Sequence, residues 1–260
     1  MTSAIGAIYR YPVKGLSAEK LDRVMLAPGR SLPQDRRFAI ALGSTAFDPQ
    51  NPEWLPKRHF IMLMRDEKLA RLQTRFDAES DVLTIADNGR VLLRGRMTEP
   101  DGCRRVAEFY TDFLGPAVDG PLHVVEAPGH AFADARRRPN AATGQYVSLI
   151  NRASIGALEA AMGAPVDPIR FRANFYFDGP PAWQELDWIG AELALGGVRL
   201  HVVSPITRCA ATQVNPATAE RDLDIPAALD HNFGHINMGV YAEVLSGGEI
   251  AVGDRLSDPS

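Results

Sequence analysis

The 260-residue sequence contains only two cysteines, Cys103 and Cys209, and they lie far apart in the chain. Two such residues exclude a disulfide framework and favour a reducing, cytoplasmic location. No apolar run reaches the roughly 18 residues that a membrane-spanning helix needs, so we expect no membrane association. The opening residues MTSAIGAIYRYPVKG lack a basic leader and a small-residue cleavage pattern, and are predicted to form a first strand instead of a signal peptide.

The sequence also lacks an excess of positive charge, with 28 Lys and Arg against 32 Asp and Glu. Nucleic-acid binding usually requires a basic face, so no nucleic-acid partner is expected. Neither a GxGxxG motif after a strand nor a GxxxxGK[ST] motif is present, which disfavours nucleotide enzymes. Basic residues are concentrated in the first 38 positions, which would suit a small anion held near this part.

Short runs rich in β-branched and aromatic residues recur along the chain, separated by Gly, Pro, Asn and Asp. The pair Asn88-Gly89 lies between two of them and predicts a β-hairpin, because both turn positions need a positive φ. Many strands and few helices predict a mainly β protein with minor α content (α+β), whose sheets close into barrels. The predicted strands are IGAIYRY, DRVMLA, RRFAIAL, RHFIMLM, LARLQTRF, YVSLI, RFRANFYF, IGAELALGG, VRLHVVS, INMGVYAEVL and EIAVGDRL.

Two segments have the apolar spacing of a helix instead. In CRRVAEFYTDFLG the residues Val106, Phe109, Tyr110 and Phe113 share one face, and Gly115 ends the run. In NRASIGALEAAMG the stripe is Ile155, Leu158 and Met162, with Asn151 or Ser154 as the cap and Gly163 at the end.

The segment PGHAFADARRRPNAATGQ between these helices is polar and broken by Pro and Gly, so it is predicted to be a long surface loop and a boundary between two lobes. Its Arg136, Arg137 and Arg138 form a charge run. A solvated surface is the favoured interpretation of such a run, and an anion site is the alternative.

Local sequence leaves three interpretations of Cys209 open: a buried small hydrophobe, a nucleophile, or a ligand of a soft metal. It follows a strand, and Arg208 beside it would favour the thiolate over the thiol. A structural zinc site is disfavoured because the chain has no CxxC pair to accompany the HxxxH spacing of His231 and His235. Nothing in the sequence places a histidine against the thiol for a Cys/His hydrolase.

The segments TRCAATQVNPATAERD and NFGHINMGVYAEVLSGGEIAVGDRL resemble the C-terminal half of a MOSC domain. The segment IYRYPVKGLSAEKLDRVMLAPGRSLPQDRRFAI resembles the N-terminal β-barrel domain that accompanies it in some members. The resemblance implies an N-terminal barrel domain over residues 1–125 and a MOSC β-barrel domain over residues 126–260. Two-part members, including the mitochondrial amidoxime-reducing component and bacterial relatives, bind a molybdenum-pterin cofactor through the single cysteine of the motif.

By this resemblance Cys209 is implied to be the molybdenum ligand and the catalytic residue, which suits a soft thiolate. Arg36 of QDRR corresponds to a phosphate-binding arginine, and an arginine can engage a phosphate with two hydrogen bonds. In FRANF, Ala173 replaces the proline of the family's pattern, and Arg172 and Asn174 correspond to cofactor contacts. The remaining implied cofactor-binding residues are Lys14, Gly15, Lys57 or Arg58, Ser148, Thr207, Arg208 and Tyr241.

The resemblance implies an oxidoreductase that reduces small N-hydroxylated substrates such as amidoximes and hydroxylamines. Two cysteines cannot hold an iron-sulfur cluster, so a separate electron-transfer protein is implied as the donor. Two alternatives stay open. One is sulfur transfer through a persulfide on Cys209, since a MOSC domain also ends the enzymes that sulfurate the molybdenum cofactor. The other is a non-catalytic cofactor carrier.

Overall fold

The computed structural model describes residues 3–136 and 144–257. Within these residues the chain forms fifteen strands and three α-helices. The helices are α1 (Pro100–Leu114), α2 (Arg152–Met162) and α3 (Ile225–Phe233). The strands are β1 (Ala4–Arg10), β2 (Glu19–Leu21), β3 (Arg23–Leu26), β4 (Phe38–Ala41), β5 (Leu72–Asp77), β6 (Val82–Asp87), β7 (Arg90–Arg96), β8 (His123–Glu126), β9 (Val147–Asn151), β10 (Phe175–Asp178), β11 (Glu192–Leu195), β12 (Val198–Thr207), β13 (Asn237–Val244), β14 (Gly248–Ala251) and β15 (Leu256–Ser257).

The largest element is an eight-stranded sheet in the order β15-β11-β12-β13-β9-β10-β1-β2. It curls into a half-barrel. Alternate side chains of these strands form the main apolar core, which the short pair β3 and β14 joins. The prediction of a mainly β protein with minor α content is confirmed.

Strands β9 and β10 are parallel and are connected through α2, which makes one βαβ unit in an otherwise largely antiparallel sheet. Phe175 and Phe177 of β10 face the main core, whereas Tyr176 between them packs with α2 and α3 on the other side. Because both faces of these strands are covered, every residue of β9 and every residue of β10 except Asp178 is buried.

A second core lies beneath α1, a three-stranded sheet of β5, β6 and β7, and the pair β4 and β8. The hairpin predicted at Asn88-Gly89 is confirmed: it joins β6 to β7, and both turn residues have positive φ, 50° and 79°.

Both predicted helices are confirmed. In α1 Val106 and Tyr110 are buried, and Phe109 and Phe113 pack at the edge of the second core. In α2 the side chain of Asn151 accepts a hydrogen bond from the Ala153 N–H, so Asn151 is the cap. Among the described residues no helix combines the length and apolarity needed to cross a membrane.

Four strand predictions are wrong in part. The first three residues of LARLQTRF belong to the 3₁₀ turn Glu67–Arg71, and EIAVGDRL is divided between β14 and β15. The other two predicted strands are broken by local contacts. RHFIMLM contributes only an isolated bridge between Phe60 and Ala41, since the Asp66 carboxylate takes the Met62 N–H at 3.1 Å and removes it from any ladder. RFRANFYF begins as a 3₁₀ turn over Pro168–Phe171, and Arg172 then adopts a left-handed conformation, so the strand starts only at Phe175. Apolar alternation alone did not reveal either break.

The division into residues 1–125 and 126–260 stays a prediction. The proposed boundary falls inside β8, which pairs with β4. The N-terminal strands β1 and β2 belong to the large sheet, and β1 pairs with β10. The early and late parts of the chain therefore share one sheet.

Helix α1 approaches β7 so closely that a Cβ on Gly102 would collide with the carbonyl oxygen of Arg96. We expect Gly102→Ala to lower the free energy of unfolding by about 1–3 kcal/mol, even though alanine favours a helix by about 1 kcal/mol. Gly156→Ala in α2 is the matched control, because a Cβ there meets nothing within 4 Å. It should raise the free energy of unfolding by about 0.5–1 kcal/mol. Urea unfolding measures both, and a stabilised Gly102→Ala variant would contradict the close approach.

Candidate functional site

A cavity of about 500 Å³ lies where segments from both parts of the chain meet, and Cys209 is part of its wall. The structure brings almost all of the sequence-predicted site residues to this cavity. Arg58 is the exception: it is exposed, because its side chain leaves the 3₁₀ turn Lys57–His59 in a different direction from that of Lys57. The predicted residues that line the cavity are Lys14, Gly15, Arg36, Lys57, Ser148, Arg172, Asn174, Thr207, Arg208, Cys209 and Tyr241.

Cys209 directly follows the end of β12 and precedes a 3₁₀ turn over Ala210–Gln213. Its carbonyl oxygen accepts hydrogen bonds from the backbone N–H and the hydroxyl of Thr212, at 3.0 and 2.9 Å. The residue is half-buried and borders the cavity. The position of Cys209 in a loop after a strand is therefore as predicted, and its side chain borders open space.

Two arginines hold the turn that follows Cys209. The buried Arg170 donates to the carbonyl oxygens of Thr212 and Gln213 and to both carboxylate oxygens of Asp222, at 2.6 and 2.8 Å. Nη2 alone contacts both carboxylate oxygens, and Nη1 donates to the two carbonyl groups, so Arg170 connects the turn to Asp222.

Arg221 also forms a hydrogen bond to this turn. Its guanidinium donates to the carbonyl oxygen of Ala210 at 3.0 Å, and to the Met64 carbonyl and the Glu67 carboxylate at 2.9 and 3.0 Å. Arg221 thus connects the turn after Cys209 to the segment that contains Met64 and Glu67 in the early part of the chain.

Lys14 lies at the opposite wall, with only 7% of its surface exposed. Its ammonium donates to the Phe132 carbonyl oxygen at 3.0 Å and forms an ion pair with Asp134. Burial lowers the pKa of Lys14 below its ordinary value, because the Asp134 charge offsets the loss of hydration only in part and Arg36 adds repulsion. Partial loss of hydration opposes ionisation of Asp134, but the charges of Lys14, Lys57 and Arg36 together outweigh this and lower the pKa of that carboxyl group.

Arg36 and Arg172 both stack on the ring of the fully buried Tyr11, with guanidinium carbons 4.5 and 4.3 Å from the ring centre. Arg36 forms an ion pair with Asp35 and donates to the backbone carbonyl of Arg172 at 2.8 Å. Asp35 in turn accepts the Tyr11 N–H at 2.7 Å. These contacts hold two like charges side by side.

Arg172 keeps an unused hydrogen-bond donor. Its Nη1 donates to the Leu16 carbonyl at 2.7 Å, but its Nη2 is buried and has no partner. Burial and then the nearby charge of Arg36 lower the pKa of Arg172 to about 10, although Tyr11 and Asp35 act in the opposite direction. The guanidinium stays charged at neutral pH, and a bound anion would relieve both the repulsion and the unmet donor.

Other residues predicted to contact the cofactor form hydrogen bonds within the protein instead. The Arg208 guanidinium is buried and donates to the Phe171 and Met238 carbonyl oxygens, so it holds backbone in place. Thr207 is exposed, and its hydroxyl donates to the Asn237 side chain at 3.2 Å.

Ser148 and Asn174 form most of their hydrogen bonds with one another. The Asn174 side-chain oxygen accepts from the Ser148 N–H and hydroxyl at 3.0 and 2.9 Å, and the Asn174 amide nitrogen donates to the Tyr9 carbonyl. Their primary effect is to fix β9 against the start of β10. The ring of Tyr241 lies 5.7 Å from that of Tyr146 at the edge of the cavity.

Several lining residues were not predicted from the sequence. Asp35 and Arg170 adjoin predicted residues in QDRR and RFRANF, which could have drawn attention to them, whereas Asp134 and Trp54 carry no local signal. The Trp54 Nε1 is buried without a partner, and the ring packs 4.3 Å from the guanidinium of Arg136. Arg137 and Arg138 of the predicted charge run lie outside the described residues.

The described lining of this cavity is strongly cationic. Seven basic side chains face two carboxylates, and both carboxylates are already paired. Together with the unpartnered donors of Trp54 and Arg172, this arrangement suits an anionic ligand with several hydrogen-bond acceptors. The basic residues are Lys14, Arg36, Lys57, Arg136, Arg170, Arg172 and Arg208.

The sequence model of the MOSC domain family matches residues 130–257. Residues 130–257 thus form a MOSC domain, as the motifs of the sequence predicted.

Curated relatives include proteins named molybdenum cofactor sulfurase. Those of Bos taurus and Homo sapiens are each 21% identical over 90% of this chain and 29% of their own. That of Drosophila ananassae is 30% identical over 55% of this chain and 18% of its own. This chain thus spans less than a third of the length of these relatives.

Among solved structures, the YuaD protein from Bacillus subtilis is 14% identical, with a TM-score of 0.46 over 98% of this chain and 94% of its own. YiiM from Geobacillus stearothermophilus is 22% identical, with a TM-score of 0.33 over 42% of this chain and 52% of its own.

The grip of Arg221 on the turn after Cys209 can be tested through the thiol. In a Cys103→Ser background, Arg221→Ala should increase the rate at which a disulfide reagent modifies Cys209 by about threefold or more, because local opening of the turn becomes easier. Arg104→Ala is the control, since Arg104 pairs only with Asp101 and Glu108 on the surface of α1. Equal thiol reactivity in the two variants would show that Arg221 does not restrain the turn.

Proposed function

We propose that this protein binds the molybdenum cofactor in the cavity at Cys209. The MOSC domain and the relatives named molybdenum cofactor sulfurase support a role connected with this cofactor. The observation that carries the proposal is the meeting, in one cavity, of a thiol, an excess of cationic side chains and buried N–H groups without partners.

The residues present fit such a group. Thiolate sulfur is a suitable ligand for a soft metal, and Cys209 would provide it. Arg36 and Arg172 would hold the cofactor's phosphate, because their guanidinium groups are fixed side by side on Tyr11 and one Nη2 is free to donate. Lys14 would add a third positive charge, and Trp54 an N–H donor. When bound, the cofactor supplies two-electron redox chemistry at its metal.

The reaction that we infer for the cofactor-bound protein is the reduction of N-hydroxylated compounds. The reaction R–NHOH + 2 electrons + 2 protons gives R–NH₂ and water, so the N–O bond breaks and its oxygen leaves as water. The electrons would come from a separate electron-transfer protein. In this reaction the chain binds and orients the cofactor, and Arg170 and Arg221 keep Cys209 in a fixed position.

Sulfur transfer is the second candidate, favoured by the name of the curated relatives. Cys209 would then carry a persulfide in the same cavity, and the cationic wall would hold the acceptor. A non-catalytic carrier is the third candidate. Labile sulfane sulfur on metal-free protein would favour sulfur transfer. Turnover of benzamidoxime with an artificial electron donor by metal-loaded protein separates the reductase from the carrier.

Cys209→Ser should abolish molybdenum binding, because a serine hydroxyl is a hard, largely protonated ligand at neutral pH. Elemental analysis of the full chain, produced in a host that makes the cofactor, measures the metal per chain. Cys103→Ser is the matched control and should retain a value near that of the unaltered protein, since the Cys103 thiol donates to the Met97 carbonyl away from the cavity. Equal molybdenum in the two variants would overturn the assignment of Cys209 as ligand.

Anion binding in the cavity should weaken at alkaline pH. Because the pKa of Lys14 is lowered, its ammonium loses its charge at a lower pH than an ordinary lysine. Inorganic phosphate is already largely dianionic above about pH 8, so a fall in its affinity as the pH then rises toward the ordinary lysine pKa would follow the loss of charge on the protein. Calorimetric titration measures this affinity.

Lys14→Arg should retain phosphate affinity to higher pH, because a guanidinium stays charged. Lys68→Arg is the control and should leave the profile unchanged, since Lys68 lies outside the cavity and donates to the Leu114 carbonyl. An identical pH profile for the Lys14→Arg variant would contradict the role of Lys14.

A further inference from the structure

A second cavity, of about 300 Å³, lies beside the first. We refer to it as the side cavity. It is enclosed by residues of segments 15–20 and 63–70 from the early part of the chain, and of segments 169–172 and 211–216 from the late part. Most of its lining side chains are apolar, although Lys20, Arg170 and Arg172 also line it. The larger apolar side chains that line it are Leu16, Leu63, Leu69, Ile169, Val214 and Pro216.

The two cavities are neighbours with a common wall. Gly15, Leu63, Arg170, Arg172 and Ala211 line both of them. Ala211 belongs to the turn that Cys209 begins. The turn after Cys209 thus forms part of the boundary between the two cavities.

The common wall also carries hydrogen-bond donors without partners. Arg170 is 5% exposed; both of its Nη atoms are engaged, but its Nε is buried and makes no hydrogen bond. The Nη2 atom of Arg172 is likewise buried and makes no hydrogen bond. An unmet buried donor costs about 1–3 kcal/mol, so a ligand acceptor at this wall would be favoured.

We propose that the side cavity binds the apolar body of the substrate, and that the substrate is a small aromatic compound with a hydrogen-bond acceptor next to its ring. The inference rests on the proposed function for the identity of the reacting group. Size supports it, since a cavity of about 150 Å³ is enough for benzene. Charge supports it too, because an acceptor or a carboxylate suits the Nε donor of Arg170, which the proposed cofactor contacts leave without a partner. A cationic group is repelled by Lys20, Arg170 and Arg172 in the lining.

Benzoate and acetate provide a matched pair of probes, because they share the carboxylate and differ only in the ring. Calorimetric titration of the full chain should show that benzoate binds about tenfold tighter than acetate or better, as expected for burial of a phenyl ring. Benzylammonium, which has the ring and the opposite charge, should bind far more weakly than benzoate.

Variants that fill the side cavity test the location. Ala70→Trp and Ala18→Trp enter it from different segments of its lining. Each should reduce the preference for benzoate over acetate to near one, while acetate affinity stays unchanged. Ala194→Trp, on the exposed face of β11, is the control and should leave the preference intact.

Equal affinity for benzoate and acetate in the unaltered protein would overturn the proposal, as would a preference that survives in both filling variants or tight binding of benzylammonium. These measurements need no molybdenum. Their failure is therefore distinguishable from failure of the proposed function, which the metal content of the Cys209→Ser variant decides.

Discussion

The repulsion between basic side chains around Cys209 is the constraint on which this site depends. Arg36 and Arg172 would separate if they were free in water, yet the fold holds both against one buried tyrosine ring. Asp35 compensates part of the charge by accepting from Arg36 and from the Tyr11 backbone. The remainder stays uncompensated, and burial strengthens it because water no longer screens the charges. An anionic ligand is what would restore the balance.

Neither part of the chain can build this cavity alone. The early part supplies Lys14 and Arg36, and the late part supplies Arg172 and the cysteine. The shared sheet, in which β1 pairs with β10, brings them together. Arg221 adds a direct connection between the turn after Cys209 and the segment at Met64. The geometry of the thiol is thus coupled to the packing of both parts.

The three candidate functions are a reductase, a sulfur carrier and a cofactor carrier. Each of them requires the chain to hold a phosphorylated pterin beside a thiol. The cationic wall meets that demand in each case, so the wall alone does not distinguish them. The side cavity bears only on the proposal that a separate small substrate is bound.

Periodicity and turn chemistry in the sequence determined most strands, α1, α2 and the Asn88-Gly89 hairpin, because these depend on neighbouring residues. The resemblance carried by the motifs around Cys209, Lys14 and Arg172 also predicted part of the cavity lining. Only the tertiary structure decided which of these residues remain available to a ligand. The Arg208 guanidinium donates to backbone carbonyl groups, and the side chains of Ser148 and Asn174 bond to each other. Arg172, in contrast, has one N–H donor without a partner. Asp134 and Trp54 reach the site through long-range packing, and contacts between residues that are distant in sequence leave no local pattern from which to predict them.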